Sequence, residues 1–135
     1  MEGIYDFDDA DEALTFMPTA ARRALDVAGL KLSLRAWELM DRKARALLVR
    51  AGTYEIVDPS EVALLLASAD PPPERIEPIP DPDPARAPAE IGEIDPRRWV
   101  ALRPLDRYAL VKAAKRPEKL ARVREEIVGS AKPIP

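Results

Sequence analysis

Nine of the twenty-six residues from Pro71 to Pro96 are proline, and no other feature limits the chain as much. Proline offers no amide donor and pushes the residue before it out of helical conformation. The stretch "PPPERIEPIPDPDPARAP" can therefore hold neither a helix nor a central strand. Its composition predicts an extended, polyproline-like linker or surface strap over 70–94. A ligand for a proline-reading partner is the other use of such a run, but the acidic spacing in "PIPDPDPARAP" specifies none, and the strap reading is preferred. Regular structure must come from the flanks. We expect an acidic N-terminal segment over 1–17, a first helical half over 18–69, a second over 95–128 and a tail over 129–135. At 135 residues these form one domain.

Each flank carries clear helix punctuation. The first helix is expected from Pro18 to about Ala28, ended by Gly29, with Ala21, Ala24, Leu25 and Ala28 as its apolar stripe. "GLKLS" alternates apolar and polar residues and reads as a short link or a brief strand. Ser33 can cap a short helix carrying Leu34, Trp37 and Met40, and Asp41 can cap the next, from Arg42 to about Ala51. That helix shows Ala44, Leu47, Leu48 and Ala51 at the spacing of a buried stripe. After the short extended piece "TYEIV", Asp58 and Pro59 start a helix facing inward through Val62, Leu65, Leu66 and Ala69. Beyond the proline run, helices restart at Asp95-Pro96, Arg103-Pro104 and Arg116-Pro117; the last carries Leu120, Val123 and Ile127 on one side.

The two flanks also echo each other. "WELMDRKARALLVRA" and "WVALRPLDRYALVKA" share Trp, Arg, Leu, Val and Ala at five of fifteen positions. Ser33 and Asp95 each precede a tryptophan by four residues, and Arg45 and Arg107 each follow one by eight. The expected fold class is mainly α: a single compact helical domain with a two-fold internal repeat of short-helix/helix/helix units joined by the proline-rich connector. Trp37 and Trp99 are the only tryptophans and read as core anchors. Arg45 and Arg107 have two readings. Each can lay its stem on the core and turn its guanidinium to the C-terminal carbonyls of the Trp helix. Alternatively, the pair can meet between the halves and bind a small anion or other small molecule, in a site lined by Trp37, Trp99 and both arginines.

Composition removes whole classes of chemistry. There is no histidine and no cysteine, so disulfides, thiolate nucleophiles, imidazole acid–base catalysis and nearly all zinc, copper and haem sites are excluded. A metal would have to be a hard ion such as Mg²⁺ or Ca²⁺ on carboxylates. Nothing fixes two carboxylates at a catalytic spacing, and Tyr108 and Lys112 are the remaining acid–base groups. Asp26, Asp41 and Asp106 read as caps or ion-pair partners. We expect no catalytic residues, no cofactor and no metal. No window approaches the roughly 18–20 continuous apolar residues of a membrane span, and the acidic start "MEGIYDFDDADEAL" is unlike a signal peptide, so a cytoplasmic location is expected.

Charge is unevenly spread. Residues 1–70 carry 8 basic and 13 acidic side chains, 71–94 carry 2 and 6, and 95–135 carry 11 and 5. A nucleic-acid surface would use Arg97, Arg98, Arg103, Lys112, Lys115, Arg116, Lys119, Arg122 and Arg124. Apart from Trp99, read above as a core anchor, aromatic interleaving is missing except for Tyr108, so a solvated helical surface is the preferred reading and nucleic acid the lesser one.

Two stretches, "ALDVAGLKLSLRAW" from Ala24 to Trp37 and "LDRYALVK" from Leu105 to Lys112, give the chain a resemblance. It resembles the nitrate reductase-associated protein family over most of residues 5–120, with the proline segment unmatched. The resemblance implies a small cytosolic bacterial protein linked to nitrate assimilation, and it carries no established activity. Relatives tend to have Cys before the Met-Pro pair where this chain has Phe16, which removes any thiol-dependent role. The expected function is a non-enzymatic helical accessory or protein-interaction module with a protein partner.

Overall fold

A computed structural model describes residues 3–129. Among them are seven α-helices and two strands of two residues each. The chain divides into two compact units, Met1–Pro80 and Asp81–Pro135, with the boundary inside the proline-rich segment.

The first unit is built on α1 (Thr19–Ala28), α3 (Arg42–Ala51) and α4 (Pro59–Leu65), with the short α2 (Leu34–Leu39) leading into α3. Pro18 stands at the N-cap of α1 and makes no side-chain cap. Asp8, in the 3₁₀ turn Asp6–Asp8, supplies one from afar: its Oδ1 accepts from the Thr19 amide at 3.0 Å and the Thr19 hydroxyl at 2.6 Å. Gly29 closes α1 in the left-handed region at φ 72°, as a glycine there should. The chain then forms β1 (Leu30–Lys31), which pairs antiparallel with β2 (Glu74–Arg75) in the proline-rich segment. This pairing is compatible with proline because a two-stranded ribbon has only edge strands.

α1 packs against α3 and α4. Its contact stripe is alanine-rich: Ala20, Ala21 and Ala24 are fully buried, which lets the backbones approach closely. The approach is tightest at Gly52, where an added Cβ would run into the Ala20 carbonyl. That contact sets the rotation of α3. The buried side runs through Leu48, Val49, Ala51 and Gly52, with Ala44 and Arg45 half-buried, while Leu47 is exposed. Of the expected stripe of Ala44, Leu47, Leu48 and Ala51, only Leu47 departs: Val49 and the bare Gly52 take the inner face in its place, and Ala44 is half-buried. Leu48 and Ala51 are buried as expected.

The second unit contains the 3₁₀ turn Ala89–Ile91, α5 (Pro96–Ala101), α6 (Pro104–Ala113) and α7 (Pro117–Ile127). All three helices start on the prolines anticipated from the sequence. α6 is buried on nearly every side, through Pro104, Leu105, Arg107, Tyr108, Ala109, Leu110 and Ala113. α7 shows α6 one face, centred on the buried Val123 with Leu120 and Ile127 half-buried beside it. Of the expected tail, 130–135 lies outside the described residues.

Candidate functional site

The sequence singles out Trp37, Arg45, Trp99, Arg107 and Tyr108, and each belongs to a corner between a six-residue and a ten-residue helix. In the first corner, Ser33 caps α2 by accepting from the Ala36 amide at 3.1 Å, and Asp41 caps α3 by accepting from Ala44 at 2.7 Å. Trp37 is fully buried. Its indole Nε1 donates to the carbonyls of Leu14 and Thr15, each at 3.0 Å. Arg45 lies with its Cζ 5.6 Å from the centre of that ring. Its Nε donates to the Trp37 carbonyl at 3.0 Å and its Nη2 to Glu38 at 2.8 Å. The last carbonyls of a helix lack their regular intrahelical donors; Trp37 O accepts from the Met40 amide at 3.1 Å, and the guanidinium adds a second donor there and one at Glu38.

Arg45 also reaches the segment before α1. Its Nη1 donates to Ala13 at 2.9 Å and Leu14 at 3.4 Å, and Arg42 Nε donates to Glu12 at 2.6 Å. Leu14 is buried with φ at 55°, a left-handed conformation that costs a leucine roughly 1–2 kcal/mol. The conformation turns the Leu14 carbonyl to both the indole and the guanidinium, whose hydrogen bonds offset the strain. Asp11 shapes the same segment by accepting from the Thr15 amide at 2.8 Å and its hydroxyl at 2.6 Å. The Thr15 hydroxyl first, and its amide second, hold the Asp11 carboxyl below the usual carboxylate range.

In the second corner Asp95 caps α5 by accepting from the Arg97 amide at 2.8 Å. Trp99 is buried, and its Nε1 donates to the Asp83 carbonyl at 2.8 Å, tying down the proline strap. Arg107 is buried to within 6%. Its Nη1 donates to Trp99 at 3.3 Å, Val100 at 3.4 Å and Leu102 at 2.5 Å. Arg107 Nε is buried without a hydrogen-bond partner. Tyr108 is buried beside it, with Lys112 Nζ 5.9 Å from the centre of its ring.

Chemically, these corners present little to a ligand. Both indoles are enclosed and offer no face for stacking, and the guanidinium donors named above, Arg107 Nε excepted, are engaged by main-chain carbonyls. The same device recurs at residues the sequence reading passed over. Arg23 on α1 is fully buried and donates to the carbonyls of Gly52 at 2.9 Å, Tyr54 at 2.6 Å and Glu55 at 3.1 Å. The "TYEIV" piece is thus held by a cation and not by a strand partner. Arg124 on α7 donates to Ile91 at 2.8 Å and Glu93 at 2.9 Å, and Arg98 donates to Val128. The available signal for Arg23 is its flanking by small residues, Ala20 and Ala24, which leave room for a stem.

The remaining cations of the basic third divide in two. Arg97 pairs with Asp95 at 3.3 Å and Arg103 with Asp106 at 2.9 Å. Lys115, Arg116, Lys119 and Arg122 are exposed on and before α7. Among the described residues no cluster of acidic side chains is arranged to hold a metal ion, and no helix is long and apolar enough to cross a membrane.

Comparison with known protein families gives a match over the first half of the chain. Residues 4–69 fit the family model described as "Conserved nitrate reductase-associated protein". The match takes in the whole first corner and α4, and stops short of "LDRYALVK". No curated protein and no solved structure matches the chain.

Proposed function

Residues 4–69 belong to the conserved nitrate reductase-associated protein family, and from that premise we propose that the chain is a helical accessory module acting by protein contact in nitrate assimilation, without catalysing a reaction. The observation that carries the reading is how polar groups are used at the two corners. Arg45 and Arg107 hold the chain's own carbonyls, so the residues best placed for chemistry serve the fold. Large apolar side chains of the family-matched unit meanwhile stand exposed, among them Leu34, Leu39, Ile56 and Leu64. The two corners are read as copies of one capped-helix, Trp and Arg unit, of which the family-matched copy carries the shared role.

The test is direct association. Purified chain is titrated against purified assimilatory nitrate reductase in sedimentation velocity. Saturable complex formation at micromolar concentrations is expected, together with no turnover of nitrate or nitrite by the chain itself. Absence of any complex, or turnover by the isolated chain, would overturn the proposal.

A further inference from the structure

The end of α2, the start of α3 and the end of α4 enclose an open groove of about 370 Å³. It is lined by the apolar Ala36, Leu39, Met40, Ala44, Leu65 and Ala69 together with Ser68 and the acidic Asp41 and Asp70, so that its surface is mixed, slightly more polar than apolar. We propose that this groove docks a segment of a partner protein that presents one large apolar side chain next to a lysine or arginine. The proposal rests on the protein-contact reading above and names the site and the chemistry of the contact.

Three observations support it. Leu39 is 58% exposed at the groove although it ends a helix whose Trp37 is fully enclosed. In a six-residue helix the inward position is already taken by the indole, so Leu39 is left on the outer side, where covering it would remove apolar area from water. No cation lines the cavity to answer Asp41 and Asp70. Asp41 Oδ1 is engaged as the cap of α3, which orients the carboxylate without neutralising it. The surrounding unit has a matching field: residues 1–80 carry nine basic and fifteen acidic side chains, and Arg23, Arg42 and Arg45 donate to main-chain carbonyls. An anionic surface around a cleft that joins apolar side chains to two carboxylates favours a cationic segment both in encounter and in orientation.

The probe is 4-phenylbutylammonium, which joins an apolar ring to one cation, titrated into the full ¹⁵N-labelled chain and followed by amide chemical shifts. Saturable shifts confined to 36–44 and 65–70 are expected, with a dissociation constant of about 1–10 mM. The neutral analogue 4-phenylbutanol should bind about two- to fivefold more weakly. Asp41→Asn combined with Asp70→Asn, which keeps the α3 cap, should bring the amine down to the affinity of the alcohol. Leu39→Lys, at an exposed position that leaves folding intact, should weaken both probes. Shifts elsewhere, no saturation, or equal affinity of amine and alcohol for the wild-type chain would overturn the proposal. So would a concentration-dependent dimer that broadens the same amides, since the groove would then belong to a second copy. If the probe fails while nitrate reductase still binds, the groove is wrong and the accessory role stands; if the probe binds and nitrate reductase does not, the accessory role is wrong.

Discussion

The corner between α2 and α3 and the corner between α5 and α6 use the same parts to different extents. Both put an aspartate or serine cap, a buried tryptophan and an arginine at matching positions of a six- and a ten-residue helix. Both arginines donate to the carbonyl of their tryptophan and to the next one along, Glu38 or Val100. The difference lies in what else they hold. Arg45 divides its donors between its own corner and a passing segment at Ala13 and Leu14. Arg107 turns a single nitrogen to three carbonyls of its own corner and leaves Nε buried and unpaired. In the second corner the passing segment, the proline strap at Asp83, is bonded by the indole. The constant element is thus the arginine closing the end of the Trp helix, and the variable element is the strap each corner captures.

The largest effect should come from removing the anchors. Trp37→Ala and Trp99→Ala are each expected to cost about 3–5 kcal/mol in urea unfolding. Trp37→Ala should be the worse of the two, because it frees two carbonyl partners and the strained Leu14. Equal losses would show that the N-terminal segment is held by other contacts. The arginines come next. Arg107→Ala is expected to cost about 3 kcal/mol, since it empties a buried site and removes the guanidinium from the Val100 and Leu102 carbonyls, while Trp99 O keeps the Leu102 amide, and the half-buried Arg45→Ala about 2 kcal/mol. A reversed order would mean that the unpaired Nε makes Arg107 a poor bargain for its corner.

The caps separate the corners further. Ser33→Ala should cost about 1 kcal/mol at any pH between 3 and 8. Asp95 differs because it titrates. Its carboxyl is held below the usual carboxylate range by the Arg97 amide first and the Arg97 side chain second. A depressed folded pKa means the stabilisation is present above the unfolded value near 3.8 and is lost as pH falls through the folded value. Thermal unfolding from pH 5 to pH 2 should therefore show a fall at the α5 end that Asp95→Asn removes, with no corresponding step from Ser33. An unchanged pH profile in Asp95→Asn would contradict this.

Much of this arrangement was legible in the sequence, for definite reasons. Ser33, Asp41, Asp58 and Asp95 are caps because side chain and start signal are adjacent in the chain. The prolines at 59, 96, 104 and 117 begin helices because a fixed φ suits the first position. The arginines' turn toward the end of the Trp helix follows from their fixed spacing. On α3 the inner face reaches Val49 and Gly52 while Leu47 stays exposed, because hydropathy does not score a bare glycine at a close helix contact as buried. Arg23 was missed because its three acceptors are main-chain carbonyls about thirty residues away, and a carbonyl carries no residue-type signature. The left-handed Leu14 runs against residue preference and becomes intelligible only with Trp37 and Arg45 beside it.

That the corner arginines hold the backbone and not a ligand can be decided by urea unfolding of Arg45→Lys in chloride and in nitrate at equal ionic strength. Lysine keeps the charge and loses the planar fork. We predict that it loses most of the stability lost by Arg45→Ala, and that nitrate leaves both the wild type and the variant unchanged. Wild-type stability in Arg45→Lys, or a saturable nitrate stabilisation of the wild type that the variant lacks, would contradict the claim.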